Sequence, residues 1–455
     1  MLDSFFTPAS IAIIGASHTP GKVGYEIFSN IMKSGYKGKI YPVNPNVTSI
    51  LGIVSYKTVR DIESSVDLAI VAVPVGLVLD VVTQCVEKRV KSIIVVSGGF
   101  SETGEKGKKT EKQLKDLLAK TGTRIIGPNV LGIYDSYNNL NTIFLPKERM
   151  KMPEKGHISI IAQSGAVGST VMDLLGEHRM GISKFISYGN ATDINESDLI
   201  CYLGTDPNTK IISAFIEGVK DGKRFINTVK EVIRKKPIIV LKGGKTEHGA
   251  KAAASHTGSM AGSYKVYSSV FKQLGITEAK TWEEFLDYSK AFLQPLPKGD
   301  RIAVLTDGGG FGVLTSDEAE KVGLHMPEPS EKLKKIIAKD IGDIASLHNP
   351  IDLVGDTTAE RYRRVMDEVL KSGEYDGIIA ISMFQVPTLE TTVVDSIDSM
   401  RMYGKPIIVF STGSDFSIKL IKSLESKGIP VYDSPERAVK AMGALISYSK
   451  FVQKK

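Results

Sequence analysis

The 455-residue chain has seven histidines, and His256 has the setting best suited to chemistry, in Ala254-Ser-His-Thr-Gly258. A neutral imidazole attacks an activated phosphoryl group and gives it up again readily, provided its other ring nitrogen has a partner. Glu217, directly after the apolar run Ile211–Ile216, is the candidate partner, because a strand-terminal glutamate at the ligand edge can orient the ring and stabilise its cation. By its flanks alone His256 reads as a solvent-facing loop histidine, and only its place in the chain organisation, described below, reverses that reading. His248 shares the segment but lacks the tight Ser/Thr/Gly flanks and ranks second.

Glycine-rich turns after apolar runs supply the second kind of chemistry. Gln163-Ser-Gly-Ala-Val-Gly168 follows the run His157–Ile161. Ser164 offers a hydroxyl, and the amides after it head a helix, where an anion binds to unpaired donors. Inorganic phosphate or a transferring phosphoryl group fits; a structural N-cap serine is the equal alternative. Ser187-Tyr-Gly-Asn-Ala-Thr192 with Asp193 is a second polar turn that can complete such a pocket. Near the start of the chain, Ile11–Ile14 runs into Gly15-Ala-Ser-His-Thr-Pro-Gly-Lys22, a further phosphate-type cradle or a plain tight turn. It is not a P-loop, because five residues separate Gly15 from Gly21 and Val23 follows Lys22. It is not a nicotinamide fingerprint either, because the next strand ends Tyr41-Pro-Val-Asn-Pro45 without the ribose-binding carboxylate. Val71-Ala-Val-Pro74, Val96-Ser-Gly-Gly-Phe100 with Glu102, and Gly127-Pro-Asn129 are further small or Pro-fixed turns at strand ends.

These turns need strands whose carboxyl ends share one edge. Ile11–Ile14, Ile40–Val43, Leu68–Val73, Ile93–Val96 and Arg124–Ile126 are mostly Ile/Val-rich, as parallel strands buried on both faces are. Amphipathic stretches such as Gly76–Lys88 and Glu111–Lys120 alternate with them, which predicts a doubly wound sheet. Asp135 to Gly156, polar, Asn-rich and then charged, reads as a linker. The remainder repeats itself. His157–Asp173 matches Arg301–Asp317, Lys236–Val240 matches Lys405–Val409 (both KPIIV), and Ile276–Phe292 matches Ile429–Phe451. The expected architecture is therefore α/β throughout, with segments 1–134, 152–294 and 299–455, the last two being copies of one flavodoxin-like unit. The first copy carries about 16 extra residues after KPIIV, within Gly243–Gly262, a small-residue stretch expected as a flexible loop. His256 lies in that insertion. In the second copy Asp307-Gly-Gly-Gly310 puts a carboxylate where an anion would sit, which argues against anion binding there.

Composition sets the broad class. Hydrophobic residues make up 42 % and charged residues 24 %, ordinary for a globular protein with several cores. The net charge of +7 is scattered, with no basic run interleaved with aromatics, so no nucleic-acid partner is expected. Cys85 and Cys201 are the only cysteines; no disulfide framework or metal spacing is present, and no metal site is expected. No signal peptide and no bilayer-length apolar stretch are found, so the expected location is cytoplasmic and off the membrane.

Together, Ala162–Gly168 (AQSGAVG), Ser187–Asp193 (SYGNATD), Phe215–Gly218 (FIEG) and especially Ala252–Gly262 (AAASHTGSMAG) resemble the α subunits of the ADP-forming acetate–CoA ligase family, within the succinyl-CoA synthetase superfamily. Asn349–Asp356 (NPIDLVGD) is similar to that family's third domain, and the resemblance covers essentially the whole chain. It implies a Rossmann-like CoA-binding domain followed by two flavodoxin-like domains. It implies that CoA lies near Gly15, Ser17, Lys22, Asn44, Val73, Pro74, Ser97, Gly98 and Asn129. Gln163, Ser164, Gly165 and Gly189 would line a phosphate pocket, His256 would be the phosphohistidine and Glu217 its orienting carboxylate. The implied reaction interconverts acyl-CoA, ADP and phosphate with carboxylate, CoA and ATP. Where the succinyl enzymes resemble GPNCPG this chain has Gly127-Pro-Asn-Val-Leu-Gly132, with Val130 at the cysteine position, and it has a third domain that their α chain lacks; both lower the succinyl reading. No ATP-grasp domain is evident, which in this family implies a separate β subunit holding Mg²⁺ and ADP or ATP in an α2β2 assembly. The alternatives are an aryl or branched-chain acyl specificity, or a non-catalytic CoA-binding regulator.

Overall fold

The computed structural model describes residues 2–257, 263–341 and 346–454. Contacts divide the chain into two units, Met1–Glu177 with Gly181–Glu278, and His178–Met180 with Ala279–Lys455.

The first unit contains two large sheets. In one, the order is Lys39–Val43, Ser10–Ile14, Leu68–Val71, Ser92–Val95, Arg124–Ile126, and every neighbouring pair is parallel. The residues of Ser10–Ile14, Leu68–Val71 and Ser92–Val95 are all buried, which accounts for their unbroken apolar character. In the other sheet the order is Thr277–Ala279, Ile238–Lys242, Ile211–Ile216, Lys155–Ala162, Ile182–Ser187, then Ile133–Asp135 and Leu140–Asn141. The second unit holds Ile351–Asp352, Ile302–Thr306, Gly377–Ile381, Ile407–Phe410 and Val431–Tyr432, again parallel. Setting aside the two-stranded extension of the middle sheet, all three place their chain-order strands second, first, third, fourth, fifth. That order reverses direction between the first and third strands, and the crevice at the carboxyl ends there is where open α/β sheets take ligands.

The stretch expected as a linker is partly sheet. Ile133–Asp135 pairs antiparallel with Ile182–Ser187, and Leu140–Asn141 pairs with Ile133–Asp135. Asp135 makes the hairpin possible by accepting from the amides of Tyr137 and Asn138 at 2.9 and 3.1 Å, a local turn of the kind short Asx side chains favour. Ile133, Leu140 and Ile143 are buried, a spacing too sparse to register as a strand in an Asn-rich context.

The insertion after Ile238–Lys242 also differs from the loop expected. Glu247–Thr257 is helical. Its alanine run has the highest intrinsic helix propensity, which outweighs the flanking glycines. The side chains of 254–257, His256 among them, and residues 258–262 lie outside the described part of the structure.

In the second unit, helix Trp282–Ala291 is joined to helix Pro435–Gln453 by Arg437, which forks onto the 3 %-exposed Asp287 carboxylate at 2.6 and 2.7 Å. Among the described residues no helix is long and apolar enough to cross a membrane.

Candidate functional site

In the first sheet the residues expected to hold CoA all follow strands at the carboxyl edge, except Lys22, which caps the helix Val23–Ser34 that leaves the first turn. Gly15 has φ of +91°, and a Cβ there would collide with the carbonyl of Ala72 on the neighbouring strand end. Glycine is thus required at the switch point itself. Asn44 donates to the Ala16 carbonyl at 2.7 Å and fixes the same turn from the second strand. Ser17 accepts from Thr19 N–H at 3.0 Å. Ser97 donates to the Val73 carbonyl at 2.5 Å, and Asn129 N–H donates to the Ser97 carbonyl at 3.0 Å. Gly15, Ser17, Asn44, Val73, Ser97 and Asn129 therefore form one connected rim, with Pro74 and Gly98 beside it. Lys22 is exposed at the helix start.

In the middle sheet Gln163 follows the first strand, and its Oε1 accepts from the amides of Glu217 and Gly218 at 2.8 and 3.1 Å. The half of Gln163 that accepts is thereby committed to the protein, leaving the Nε2 group as its donor toward a ligand. Ser164 Oγ accepts from Val167 N–H at 3.4 Å and its carbonyl from Gly168 N–H at 3.1 Å, so Ser164 does cap the helix Gly165–Glu177. Capping uses the hydroxyl oxygen and the Val167 amide and leaves the hydroxyl proton and the amides of Gly165 and Ala166 to an anion, so the two readings of Ser164 are compatible.

The two turns at the heart of the site are laced together. Asn190 N–H donates to the Pro128 carbonyl at 3.0 Å, Thr192 N–H to Gly127 at 3.1 Å, and Ile194 N–H to Ile125 at 3.2 Å. Leu131 N–H donates to Ser187 Oγ at 3.1 Å. Gly189, with φ of +53°, sits where a Cβ would collide with the carbonyls of Pro128 and Asn129. Arg124 Nε donates to both Asp193 carboxylate oxygens at 2.9 and 3.1 Å, which raises the guanidinium above its ordinary value. Asn129, from the expected CoA set, is thus brought against Gly189, from the expected phosphate set. The helix Glu247–Thr257 packs beside the Ser101–Thr103 turn at the same edge.

Lys242 and Glu196 belong to no sequence motif, and Glu102 and Tyr188, which lie in strand-end turns, show their settings only in the folded chain. Burial acts to raise the Glu102 carboxyl, but hydrogen bonds from Asn190 and the Gly99 and Phe100 amides hold it below its ordinary value. Lys242, buried at the end of the fourth strand, donates to the Glu217 carbonyl at 2.7 Å and lies 4.7 Å from the Tyr267 ring centre. Tyr188 and Glu196 are buried, and Tyr188 Oη and Glu196 Oε1 have no hydrogen-bond partner among the described residues. Burial pushes Glu196 up to about 7. The one signal for Lys242 was comparative: in the repeat its counterpart is Ser411.

Asp307 occupies in the second unit the place that Gln163 holds in the first. Both its oxygens accept from Met383 N–H at 2.9 Å, and burial pushes it up to about 6. Its carboxylate therefore closes the strand end. Other histidines have partners of their own: His157 the Asn208 carbonyl, His178 Glu425, and His348 Glu328.

The glycine-rimmed crevice is thus laced to the polar turn after Ile182–Ser187, and the two modules that meet there match CoA-ligase families. The family described as a CoA binding domain matches residues 9–136, and that described as succinyl-CoA ligase like flavodoxin domain matches residues 155–292. The chain is 42 % identical to acetate–CoA ligase [ADP-forming] II subunit alpha of Pyrococcus furiosus, over 99 % of each. It is also 42 % identical to acetate–CoA ligase [ADP-forming] of Methanocaldococcus jannaschii, over 97 % of this chain but 62 % of that longer protein. A solved structure of the Ca. Korarchaeum cryptofilum dinucleotide forming acetyl-coenzyme A synthetase 1, in complex with phosphate and ADP, superposes with a TM-score of 0.93 at 36 % identity, over 99 % and 97 % of the two chains. The chain belongs to the ADP-forming acetate–CoA ligase family, as an α-subunit-type member.

Proposed function

We propose that this chain carries the CoA and phosphate half of an ADP-forming acyl-CoA synthetase, with acetyl-CoA as its substrate, and that His256 conveys the phosphoryl group. The observation that carries the reading is the lacing of Gly127–Asn129 to Gly189–Thr192, which holds the rim of the CoA crevice against the anion turn.

The reaction then divides into three displacements. Phosphate, held by Gln163 Nε2, the Ser164 hydroxyl and the helix-head amides from Gly165, attacks the thioester carbonyl. The C–S bond breaks, CoA leaves as thiol and acyl phosphate forms. The His256 imidazole next attacks phosphorus, the P–O bond to the acyl group breaks, and the carboxylate departs. Glu217 accepts a hydrogen bond from the other ring N–H and so balances the positive charge of the phosphorylated ring. Such transfers depend on in-line positioning and on neutralising the equatorial oxygens. Finally phosphohistidine passes its phosphoryl group to ADP.

We place the ADP and Mg²⁺ site on a partner β chain of the ATP-grasp type, in an α2β2 assembly in the cytoplasm. The longer Methanocaldococcus jannaschii relative supports this, since this chain spans only 62 % of it.

The test is labelling of the full chain, with its partner chain, by radioactive acetyl phosphate. The expected product is an acid-labile, base-stable label lost completely in His256→Ala. Turnover and labelling at the wild-type rate in that variant would refute the mechanism. ADP- and phosphate-dependent cleavage of acetyl, branched and aryl CoA esters identifies the preferred acid, and no cleavage of any ester would favour a CoA-binding regulator.

A further inference from the structure

Glu217 is gripped through its main chain on both sides. Gln163 Oε1 takes its N–H at 2.8 Å, and Lys242 Nζ donates to its carbonyl at 2.7 Å. Lys242 also donates to the carbonyl of Gly243, the first residue of the insertion that leads to His256. A Cβ on Gly243 would lie 3.4 Å from Glu217 Cγ, so the root of the insertion runs directly against the glutamate side chain. One buried ammonium thus joins the carboxylate-bearing turn to the base of the histidine-bearing segment.

We infer that Lys242, in its ammonium form, is a positioning residue that holds Glu217 and the root of the His256 segment in mutual register for phosphoryl transfer. This rests on the reading of His256 and Glu217 given above.

Three observations support a role beyond packing. The side chain is only 3 % exposed, and a buried lysine charge is expensive unless compensated. Here two carbonyls and the face of Tyr267 compensate it, and Tyr267 Oη is itself fixed by Val219 N–H at 3.1 Å. The repeated copy shows what the fold alone requires: Asp307 grips Met383 N–H as Gln163 grips Glu217, but Ser411 stands for Lys242 and donates to the Ser382 carbonyl at 2.7 Å. A neutral hydroxyl therefore suffices to tie these strand ends where no histidine segment follows.

The charge is also sensitive to pH. Burial lowers Lys242 to about 8 from 10.5, opposed by Glu217 and assisted by Lys245. Lys245 lies toward the Tyr264 ring, Glu278 on the neighbouring edge strand accepts from Tyr264 and Ser268, and Tyr188 interacts electrostatically with Glu217. As pH rises through about 8 the ammonium is lost, so the positioning weakens. Folding stability moves the other way. From about 8 to 10.5 the unfolded chain binds the proton that the folded chain has released, so this residue's contribution to stability rises with pH.

The experiment is the rate of His256 labelling by radioactive acetyl phosphate in the full chain with its partner chain, from about pH 7.5 to about pH 9.5, above the ordinary imidazole range. The wild-type rate is expected to fall across this range. Lys242→Met is expected to label about tenfold or more slowly at the lower end of this range, with a flat profile, and Lys242→Arg to recover part of the rate. CoA binding reports an intact fold. Should Lys242→Met not fold, the wild-type profile decides, and a flat one overturns the inference. Wild-type rate and profile in a folded Lys242→Met also overturn it. A wild-type chain that takes no label at His256 instead removes the functional reading beneath it, which is a distinguishable result.

Discussion

The side-chain amide of Asn190 donates to the carboxylate of Glu102 at 2.7 Å. Asn190 belongs to the polar turn after Ile182–Ser187, and Glu102 to the turn after Ser92–Val95, so this bond crosses from the flavodoxin-like sheet to the CoA-binding sheet. Glu102 also takes the amides of Gly99 and Phe100 and so shapes the turn that carries Gly98. Glu102→Gln should destabilise the first unit by about 1.5–3 kcal/mol near neutral pH, the usual loss for hydrogen bonds to a charged group. The folded carboxyl lies below its ordinary value of 4.5, so its stabilisation is present above that value and disappears as pH falls through the lower folded one. Urea denaturation of wild type and variant should therefore converge in acid. A gap independent of pH would contradict the assignment.

Gly189 leaves no room for a side chain, and its φ of +53° adds a backbone penalty to the collision with Pro128 and Asn129. Gly189→Ala should push the anion turn away from Gly127–Asn129. Misplacement of reacting groups by about 1 Å lowers rates by about a hundredfold, and that is the expected loss in CoA-ester cleavage. CoA affinity should change far less, because the rim from Gly15 to Ser97 is untouched. Equilibrium CoA binding alongside steady-state turnover checks both halves.

Glu196 starts the helix Glu196–Thr205 but is only 2 % exposed, and Oε1 has no hydrogen-bond partner among the described residues. Burial raises it from 4.5 to about 7, with Lys220 and Arg224 opposing and Asp198 reinforcing. The folded chain thus holds a proton that the unfolded chain has lost between those values. The stability associated with the neutral acid is intact below 4.5 and declines as pH rises through about 7. At pH about 8, Glu196→Gln should be more stable than wild type by roughly 3 kcal/mol, with no difference in acid. Thermal melts across that range measure it, and a variant less stable at high pH would rule this out.

The elements of the parallel sheets were legible because strands covered on both faces must be apolar throughout; Ile211–Ile216 and Ile238–Lys242 are cases. The insertion was legible as an insertion, since the two copies could be compared, but not as a helix, because its alanine run was set against nearby glycine and serine. The hairpin around Asp135 was missed for a related reason: its strands are short and its polar residues serve the turn. At the site, strand-end glycines and Gln163 announce themselves by position. Lys242 and Glu196 do not. Their importance comes from burial and from which main-chain groups they meet, and only the folded chain determines those.

The hairpin formed by Ile133–Asp135 and Leu140–Asn141 has a practical consequence for dissecting the molecule. It closes the flank of Ile182–Ser187, a strand whose six residues are all buried. Cutting the chain near 134 to obtain either module would remove this cover and leave an open, apolar strand edge, the template on which foreign chains add and aggregates grow. The CoA-binding and flavodoxin-like modules of this unit are therefore best expressed as a single piece, and any exchange of modules between relatives should carry the hairpin with the downstream partner.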